Sequence, residues 1–327
     1  MLSDKGIRQA VENGSLVIDP FDEAKLGPCS YDLTIVSLHR VNQFEAARLG
    51  EEDLPMKEFI EVCCEPYDGV LRPRKIYIGV SKESIGSSLM TEITSRSSMA
   101  RKGVEIRQYD KSAEPSQLYC FINTCGTYAQ VPEGLPMAQL IIGFDVPLHG
   151  EELRCTANSL GIGEPKIFKQ GKPPSTLQSY EMVLLHLGAK IKVYNGNTFR
   201  NNSDDDCFTE IDITKPATIP PETFCLAPIE EPIRMPEDCA GMLRRSIYAF
   251  GSSIHPNAPL VQPGSEGHQV LEMYAAGFME LKAGMPVCGI EVYRLNPPPT
   301  KIYNGKYGSQ PPGPLASQLH TELGAVG

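Results

Sequence analysis

The apolar residues of this chain stand in short runs that turn residues interrupt, and this pattern predicts a mainly β protein. One such run, residues 75–80, reads Lys-Ile-Tyr-Ile-Gly-Val and is rich in β-branched and aromatic side chains. The 29 glycines and 28 prolines supply frequent turns. Helix is expected only in small segments, the clearest at residues 4–13, where Asp4 can cap the helix and Ile7, Ala10 and Val11 share one face.

The chain also repeats itself with a period of about 150 residues. Four segments recur in the same order: residues 30–33 match 179–182 (149 apart), Pro73 matches Pro221 (148), 96–98 match 244–246 (148), and 134–137 match 284–287 (150). Such a period is too long for a solenoid and indicates a duplicated globular domain. We predict one copy at residues 1–150, a second at 178–327, and a Gly- and Pro-containing linker at 151–177.

Composition and charge narrow the classes of partner. Lys and Arg number 30 and Asp and Glu number 40, so the net charge is 30 − 40 = −10, and no basic stripe suggests nucleic acid binding. No stretch approaches the roughly 18 consecutive apolar residues that a membrane span needs, and the first residues show no targeting signal. We therefore expect a soluble, cytoplasmic protein in which the ten scattered cysteines are reduced thiols.

Four segments carry a resemblance to a known family. Residues 1–33, the segment 95–103 (Ser-Arg-Ser-Ser-Met-Ala-Arg-Lys-Gly), the segment 255–272 and the tail 305–317 resemble the start, the phosphate-binding segment, the nucleoside hairpin with its following strand, and the C-terminal lid of dCTP deaminases. The resemblance to the dCTP deaminase and dUTPase superfamily implies two tandem distorted β-jelly-roll domains of the dUTPase-like β-clip type. It also implies dCTP as substrate and a homo-oligomer with a trimeric arrangement of domains, whose active sites lie between neighbouring domains.

The proposed chemistry requires a group that takes a proton from water and returns it to the cytosine ring and the leaving amine. One carboxylate can perform all of these steps if burial raises its pKa toward neutrality. Glu272 lies in the apolar run Val-Leu-Glu-Met-Tyr, and by resemblance it is the family's general base. The first copy has Phe121 at the matching position, 151 residues earlier, and a phenyl ring cannot transfer protons.

The second copy shows the complementary loss. The first copy keeps Ser97 and Arg101 where the second has Arg245 and Ala249, so one complete site is expected between the copies. The predicted catalytic residues are Glu272, Ser97 and Arg101, and the predicted substrate-binding residues are Arg96, Ser98, Ala258, Lys306 and Gln310. Mg²⁺ is expected to arrive on the triphosphate, which requires few protein ligands, so none is named.

Other functions are weaker matches to the sequence. A zinc-dependent cytidine deaminase would need a Cys-x-x-Cys pair, and the sequence contains none. A dUTP diphosphatase, or a bifunctional deaminase and diphosphatase, would by resemblance need an aspartate where this chain has Gln262, and an amide is no base. A non-catalytic nucleotide sensor or structural paralogue is the alternative from another class. The sequence leaves open whether chains assemble as stacked trimers or form pseudo-trimeric monomers.

Overall fold

Strands dominate the computed structural model, which describes residues 1–49, 54–108, 116–144, 147–162, 167–169, 181–200, 204–245 and 258–323. In the N-terminal half they are β1 (Leu16–Asp19), β2 (Tyr31–Val41), β3 (Cys64–Pro66), β4 (Val70–Leu71), β5 (Ile76–Ser87), β6 (Thr91–Ser95), β7 (Val104–Gln108), β8 (Ser116–Thr124), β9 (Ala129–Gln130) and β10 (Leu135–Ile142). In the C-terminal half they are β11 (Ile167–Lys169), β12 (Glu181–His186), β13 (Lys190–Tyr194), β14 (Phe208–Asp212), β15 (Ala217–Ile219), β16 (Thr223–Arg234), β17 (Cys239–Arg245), β18 (Leu260–Val261), β19 (Glu266–Ala275), β20 (Met279–Leu281), β21 (Pro286–Arg294) and β22 (Ser309–Gln310). The predicted mainly β class is confirmed.

Helices are short, as the pattern predicts. They are α1 (Asp4–Glu12), α2 (Gln43–Leu49), α3 (Met56–Cys63), α4 (Ser97–Ala100), α5 (Gly150–Ser159) and α6 (Leu319–Leu323). The predicted cap of α1 is wrong by one residue, because Ser3 is extended and its hydroxyl accepts a hydrogen bond from the Gly6 amide at 3.2 Å. Asp4 is instead used over a long range, where its carboxylate accepts from the Thr300 amide at 2.8 Å.

The strand order repeats between the two halves. The N-terminal half forms an eight-stranded sheet in the order β6-β10-β2-β5-β8-β7, with β1 added on β5 and β3 on β2. In the C-terminal half the order β12-β21-β17 corresponds to β2-β10-β6, and the pair β16-β19 corresponds to β5-β8. All of these pairs are antiparallel. The sequence repeat is therefore also a repeat of strand topology, as expected for two tandem jelly-roll domains.

The two copies share buried apolar surface. The largest apolar cluster combines the sheet of the first copy with Phe199, Phe208 and Phe224 of the second. A smaller cluster joins Ile141 of the first copy to Met242 of the second. A second large cluster lies within the C-terminal half. Because the clusters cross between the copies, their relative placement is supported by packing as well as by the connecting chain.

A helix occupies part of the predicted linker. Helix α5 buries Leu153 and Ala157, spaced four residues apart, in the core of the C-terminal half, and Leu160, the residue after the helix, joins the same cluster. Strand β11 then pairs with β12. Residues 163–166 and 170–177 of the predicted linker, and residue 178, lie outside the described residues. No helix in the described ranges is both long and apolar enough to cross a membrane, and all ten cysteines are free thiols.

Candidate active site

A tight turn after β6 carries Ser97 and Arg101. The Arg101 amide donates to the Ser97 carbonyl at 3.1 Å within the single turn of α4. The turn ends at Gly103, where φ is +73° and a Cβ atom would lie 2.7 Å from the Thr127 hydroxyl. Only glycine avoids that contact in this backbone region. The Arg-Ser-Ser segment therefore leads into a turn of fixed geometry at the edge of the first copy.

Glu272 lies in the middle of β19 in the second copy. It pairs across the strands with Leu226 of β16 and is 2% exposed. Strand β22, from the C-terminal tail, adds to the end of β19 in parallel orientation. At Glu272 the strand is held by its pairing with β16, and the carboxyl group lines a cavity between the copies.

Two adjoining cavities bring the eight predicted site residues together. The first is lined by Ser97 and Arg101 of the first copy and by Ala258, Glu272 and Gln310 of the second. The second cavity is lined by Ser97 again, together with Arg96, Ser98 and Lys306. Both cavities also share Gln139, Gln262, Tyr303 and Tyr307. Arg101 of the first copy and Glu272 of the second therefore line the same cavity.

The Arg101 guanidinium contacts the C-terminal tail. Its Nη2 donates to Gln310 Oε1 at 2.6 Å, and its Nη1 donates to the Leu315 carbonyl. The guanidinium carbon lies 4.3 Å from the centre of the Tyr307 ring, within the range of a cation–π interaction. Arg101 therefore links the Ser97–Arg101 turn of the first copy to the tail of the second.

Burial and nearby charges act on Arg101 in opposite directions. Burial lowers the pKa of Arg101, while the charges of Tyr307, Glu272 and Tyr303 raise it. A guanidinium stays protonated across the physiological range, so Arg101 supplies a permanent positive charge facing the Glu272 carboxyl. Such a pair can stabilise charge that moves between water, carboxylate and base during proton transfer.

The tail 303–319 covers both cavities. Ser317 donates from its hydroxyl to the Ser98 carbonyl at 2.9 Å, and Lys306 Nζ lies 3.4 Å from the Gln318 carbonyl. The Tyr307 hydroxyl accepts from the Gln318 amide at 2.8 Å. The cavities hold about 40 and 110 Å³, less than the roughly 300–1,000 Å³ of typical ligand sites. The two cavities in this arrangement of the tail are therefore smaller than a typical ligand site.

Three residues that line the cavities, Asp32, Tyr303 and Tyr307, were not predicted from the sequence. Asp32 forms an ion pair with Arg96, Nε to Oδ2 at 3.0 Å, and lines the second cavity. The sequence feature that could have identified Asp32 is its position in the repeated segment 30–33, where the second copy also has an acidic residue, Glu181. Tyr303 and Tyr307 line both cavities, and their signal was the presence of two aromatic rings in a Gly- and Pro-rich tail.

Gln262 occupies the hairpin position at which a dUTP diphosphatase is expected, by resemblance, to have an aspartate. Its side chain is buried, donating from Nε2 to the Ser30 hydroxyl at 3.0 Å and accepting from the Cys29 thiol at 3.1 Å. The amide therefore ties the hairpin of the second copy to the first. The preceding hairpin residues 255–257 lie outside the described residues.

Carboxylates that could hold a metal are sparse in the described chain. No group of three or more His, Cys, Asp or Glu residues with metal-binding geometry occurs in the described ranges. The second cavity offers Asp32 beside Arg96. This donor set fits a cation that is carried mainly by phosphate oxygens and water better than one enclosed by protein ligands.

Comparison with known proteins gives a consistent family assignment. A family model described as dCTP deaminase-like matches residues 1–142 and 174–295. A Dictyoglomus turgidum protein named dCTP deaminase, dUMP-forming, is 30% identical over 169 residues, which are 50% of this chain and 86% of that protein. A Rhodospirillum rubrum dCTP deaminase is 33% identical over 113 residues, which are 32% of this chain and 57% of that protein.

A solved structure shows the same fold. The crystal structure of 2'-deoxycytidine 5'-triphosphate deaminase from Agrobacterium tumefaciens superposes with a TM-score of 0.70 at 16% identity, covering 90% of this chain and 98% of that one. At this identity the match supports the fold alone. Together with the family model, which spans most of both halves, it leads to one conclusion: this chain belongs to the dCTP deaminase-like family.

Proposed function

We propose that this chain deaminates dCTP, adding water at C4 of the cytosine and releasing dUTP and ammonia. The observation that supports this best is that Arg101 of one copy and Glu272 of the other line a single buried cavity. The family assignment and the dCTP deaminase names of the relatives point to the same reaction.

In the proposed mechanism Glu272 moves the protons. The carboxylate accepts one proton from water as the water oxygen attacks C4, and delivers this proton to N3. It then takes the second proton from the new C4 hydroxyl and passes it to the amine, which leaves as ammonia when the C4–N bond breaks and the C4 carbonyl forms. The Ser97 hydroxyl and the Ala258 backbone line the same cavity and orient the water and the amine. The closed tail excludes bulk water, which strengthens the electrostatic effect of Arg101 on the reacting groups.

The second cavity is proposed to hold the phosphates. Arg96, Ser98 and Lys306 line it, and a guanidinium, a hydroxyl and an ammonium are all donors to phosphate oxygens. Mg²⁺, bound to the triphosphate, would neutralise part of its charge, with Asp32 as the nearest carboxylate. Gln310 would contact the base when the tail is closed.

The test is ammonia release from dCTP by wild type and by Glu272→Gln. This substitution keeps the size of the side chain and one acceptor oxygen but removes the base. We expect ammonia release to be lost while dCTP binding, measured by calorimetry with Mg²⁺ present, is retained. A non-catalytic sensor would instead bind dCTP without turnover in both proteins, and that result would refute the proposal.

A bifunctional activity is the second candidate, since the Dictyoglomus turgidum relative is named dUMP-forming. Gln262 argues against it in this chain, because the amide has no basic lone pair to activate water and both of its polar ends are engaged. Chromatography of the products separates the two cases. We expect dUTP to accumulate without pyrophosphate.

The family assignment is also the basis of a proposal for cellular location and assembly. We propose a cytoplasmic enzyme acting on the free deoxynucleotide pool, and a homo-oligomer in which jelly-roll domains meet in trimeric arrangements. Chemical cross-linking and light scattering of the purified chain would test the assembly.

A further inference from the structure

A buried ion pair lies next to the active site and outside the roles assigned above. Lys102 directly follows Arg101, and its Nζ lies 2.8 Å from Asp204 Oδ1 and 2.7 Å from Oδ2. It also donates to the Arg200 carbonyl at 2.8 Å. The side chains of Lys102 and Asp204 are 0% and 1% exposed. The pair therefore joins the first copy to the second in the interior of the protein.

Lys102 is fixed at both ends. Its carbonyl accepts from the Thr127 hydroxyl at 2.7 Å, which anchors the end of the turn that carries Ser97 and Arg101. Its ammonium donates to two oxygens, Asp204 Oδ1 and the Arg200 carbonyl, and Asp204 Oδ2 adds an ion-pair contact at 2.7 Å. The far end of the side chain is therefore held by both a charged and a neutral oxygen of the second copy.

A series of aromatic contacts connects Lys102 to the strand next to the one that carries Glu272. Lys102 Nζ lies 5.4 Å from the ring centre of Phe199. The Phe199 ring packs against Phe208 at 5.4 Å, and Phe208 packs against Phe224 at 6.4 Å. Phe224 lies in β16, the strand that pairs directly with β19. The two catalytic groups are thus held by one continuous buried framework.

Charge burial makes each member of the pair dependent on the other. Burial lowers the pKa of Lys102 and raises that of Asp204, and the charge of each residue counteracts the effect on its partner. A buried ion pair is a poor device for stability alone, because apolar side chains of similar size often stabilise as well or better. Its advantage is a directional contact that fixes one position.

We propose that Lys102 and Asp204 are positioning residues that hold the Ser97–Arg101 turn of the first copy in register with Glu272 of the second. This proposal rests on the proposed deamination. A displacement of about 1 Å in a catalytic group is enough to cost about 100-fold in rate. The pair contacts neither the first nor the second cavity, so it acts through Arg101.

The experiment compares Lys102→Met, Asp204→Leu and the double variant. Each single variant leaves one charge buried alone, so we expect a lowered melting temperature. The double variant replaces the pair by apolar side chains and should recover a melting temperature near that of wild type. Its kcat for ammonia release should stay about 100-fold low, with a smaller change in KM for dCTP. A double variant with wild-type kcat, or with KM alone changed, overturns the proposal.

A matched control and a second measurement keep the test independent of the single variants and of the reaction. Lys190→Met removes an exposed lysine that pairs with Glu210 at 2.8 Å and should leave kcat unchanged. Hydrogen exchange of amides 98–103 should be faster in the folded double variant and unchanged in the control. If wild type releases no ammonia, the deamination proposal fails, while unchanged exchange in the double variant separately rejects the positioning role.

Discussion

Replacing Arg101 by lysine keeps the positive charge and removes the fork of donors. Arg101 is 2% exposed and uses Nη2 for Gln310 and Nη1 for the Leu315 carbonyl. A single ammonium can reach one of these acceptors. The lost contact is a buried hydrogen bond to a charged group, worth about 1.5–3 kcal/mol. If tail closure limits productive binding, kcat/KM for dCTP falls about 10- to 150-fold.

Two measurements report the effect of Arg101→Lys. Ammonia release gives kcat and KM, and hydrogen exchange of amides 310–319 reports on tail closure. We expect lower kcat/KM together with faster exchange of the tail. The charge opposite Glu272 is retained, so the change measures the geometry of the guanidinium rather than the field that it creates.

The control is Arg107→Lys in the same copy, where the side chain is 64% exposed and pairs with Glu105 at 2.5 Å. It should leave both measurements unchanged, because an exposed ion pair contributes little. Unchanged kcat/KM and unchanged tail exchange in Arg101→Lys would show that the fork is not needed, and would refute the link between the first copy and the tail.

Two further predictions test the composite site and the contact between chain ends. Phe121→Glu restores a carboxylate in the first copy, but Ser97 and Arg101 have no equivalents to face it, so ammonia release per chain should stay unchanged; a doubled rate would contradict the single site. Burial raises the pKa of Asp4, but hydrogen bonds from Thr300, Arg8 and the Lys5 amide together lower it by more, giving a net decrease from 3.8. The stability it contributes is present above pH 3.8 and lost as pH falls through the lower folded pKa, so Asp4→Asn should melt below wild type at pH 7 and approach it at pH 3; an equal difference at both pH values would contradict this.

The local sequence pattern was enough to predict the fold class, because short runs of β-branched residues and frequent turn residues can be recognised without knowing the tertiary structure. The internal repeat also predicted the location of the site, because the offset of about 150 residues aligns Phe121 with Glu272 and shows that the first copy lacks the carboxylate. This comparison is what predicted a site between the copies. The catalytic and binding roles of the eight residues stay predictions, although the cavities bring them together.

The errors have a common physical origin in contacts that are distant in sequence. Asp4 suits a helix cap, but its carboxylate is taken by Thr300, 296 residues away, and Ser3 caps instead. Helix α5, within the predicted linker, was not foreseen from the sequence, because its apolar residues gain a partner only from the second core. No local pattern signals that Lys102 and Asp204 meet, since burial of charge goes against every composition rule.

The distribution of groups between the copies explains how duplication can simplify a site. In a ring of identical chains, every copy must keep both the anion-binding turn and the carboxylate, because each copy meets its neighbour through both faces. Once two copies share a chain, the first needs only the turn and the second only the strand. In the proposed mechanism Phe121, 38% exposed at the position equivalent to Glu272, belongs to a face that takes no part in catalysis. The same proposal requires the contacts between the copies to be kept, because Lys102, Gln262 and the tail join the copy that carries Arg101 to the copy that carries Glu272.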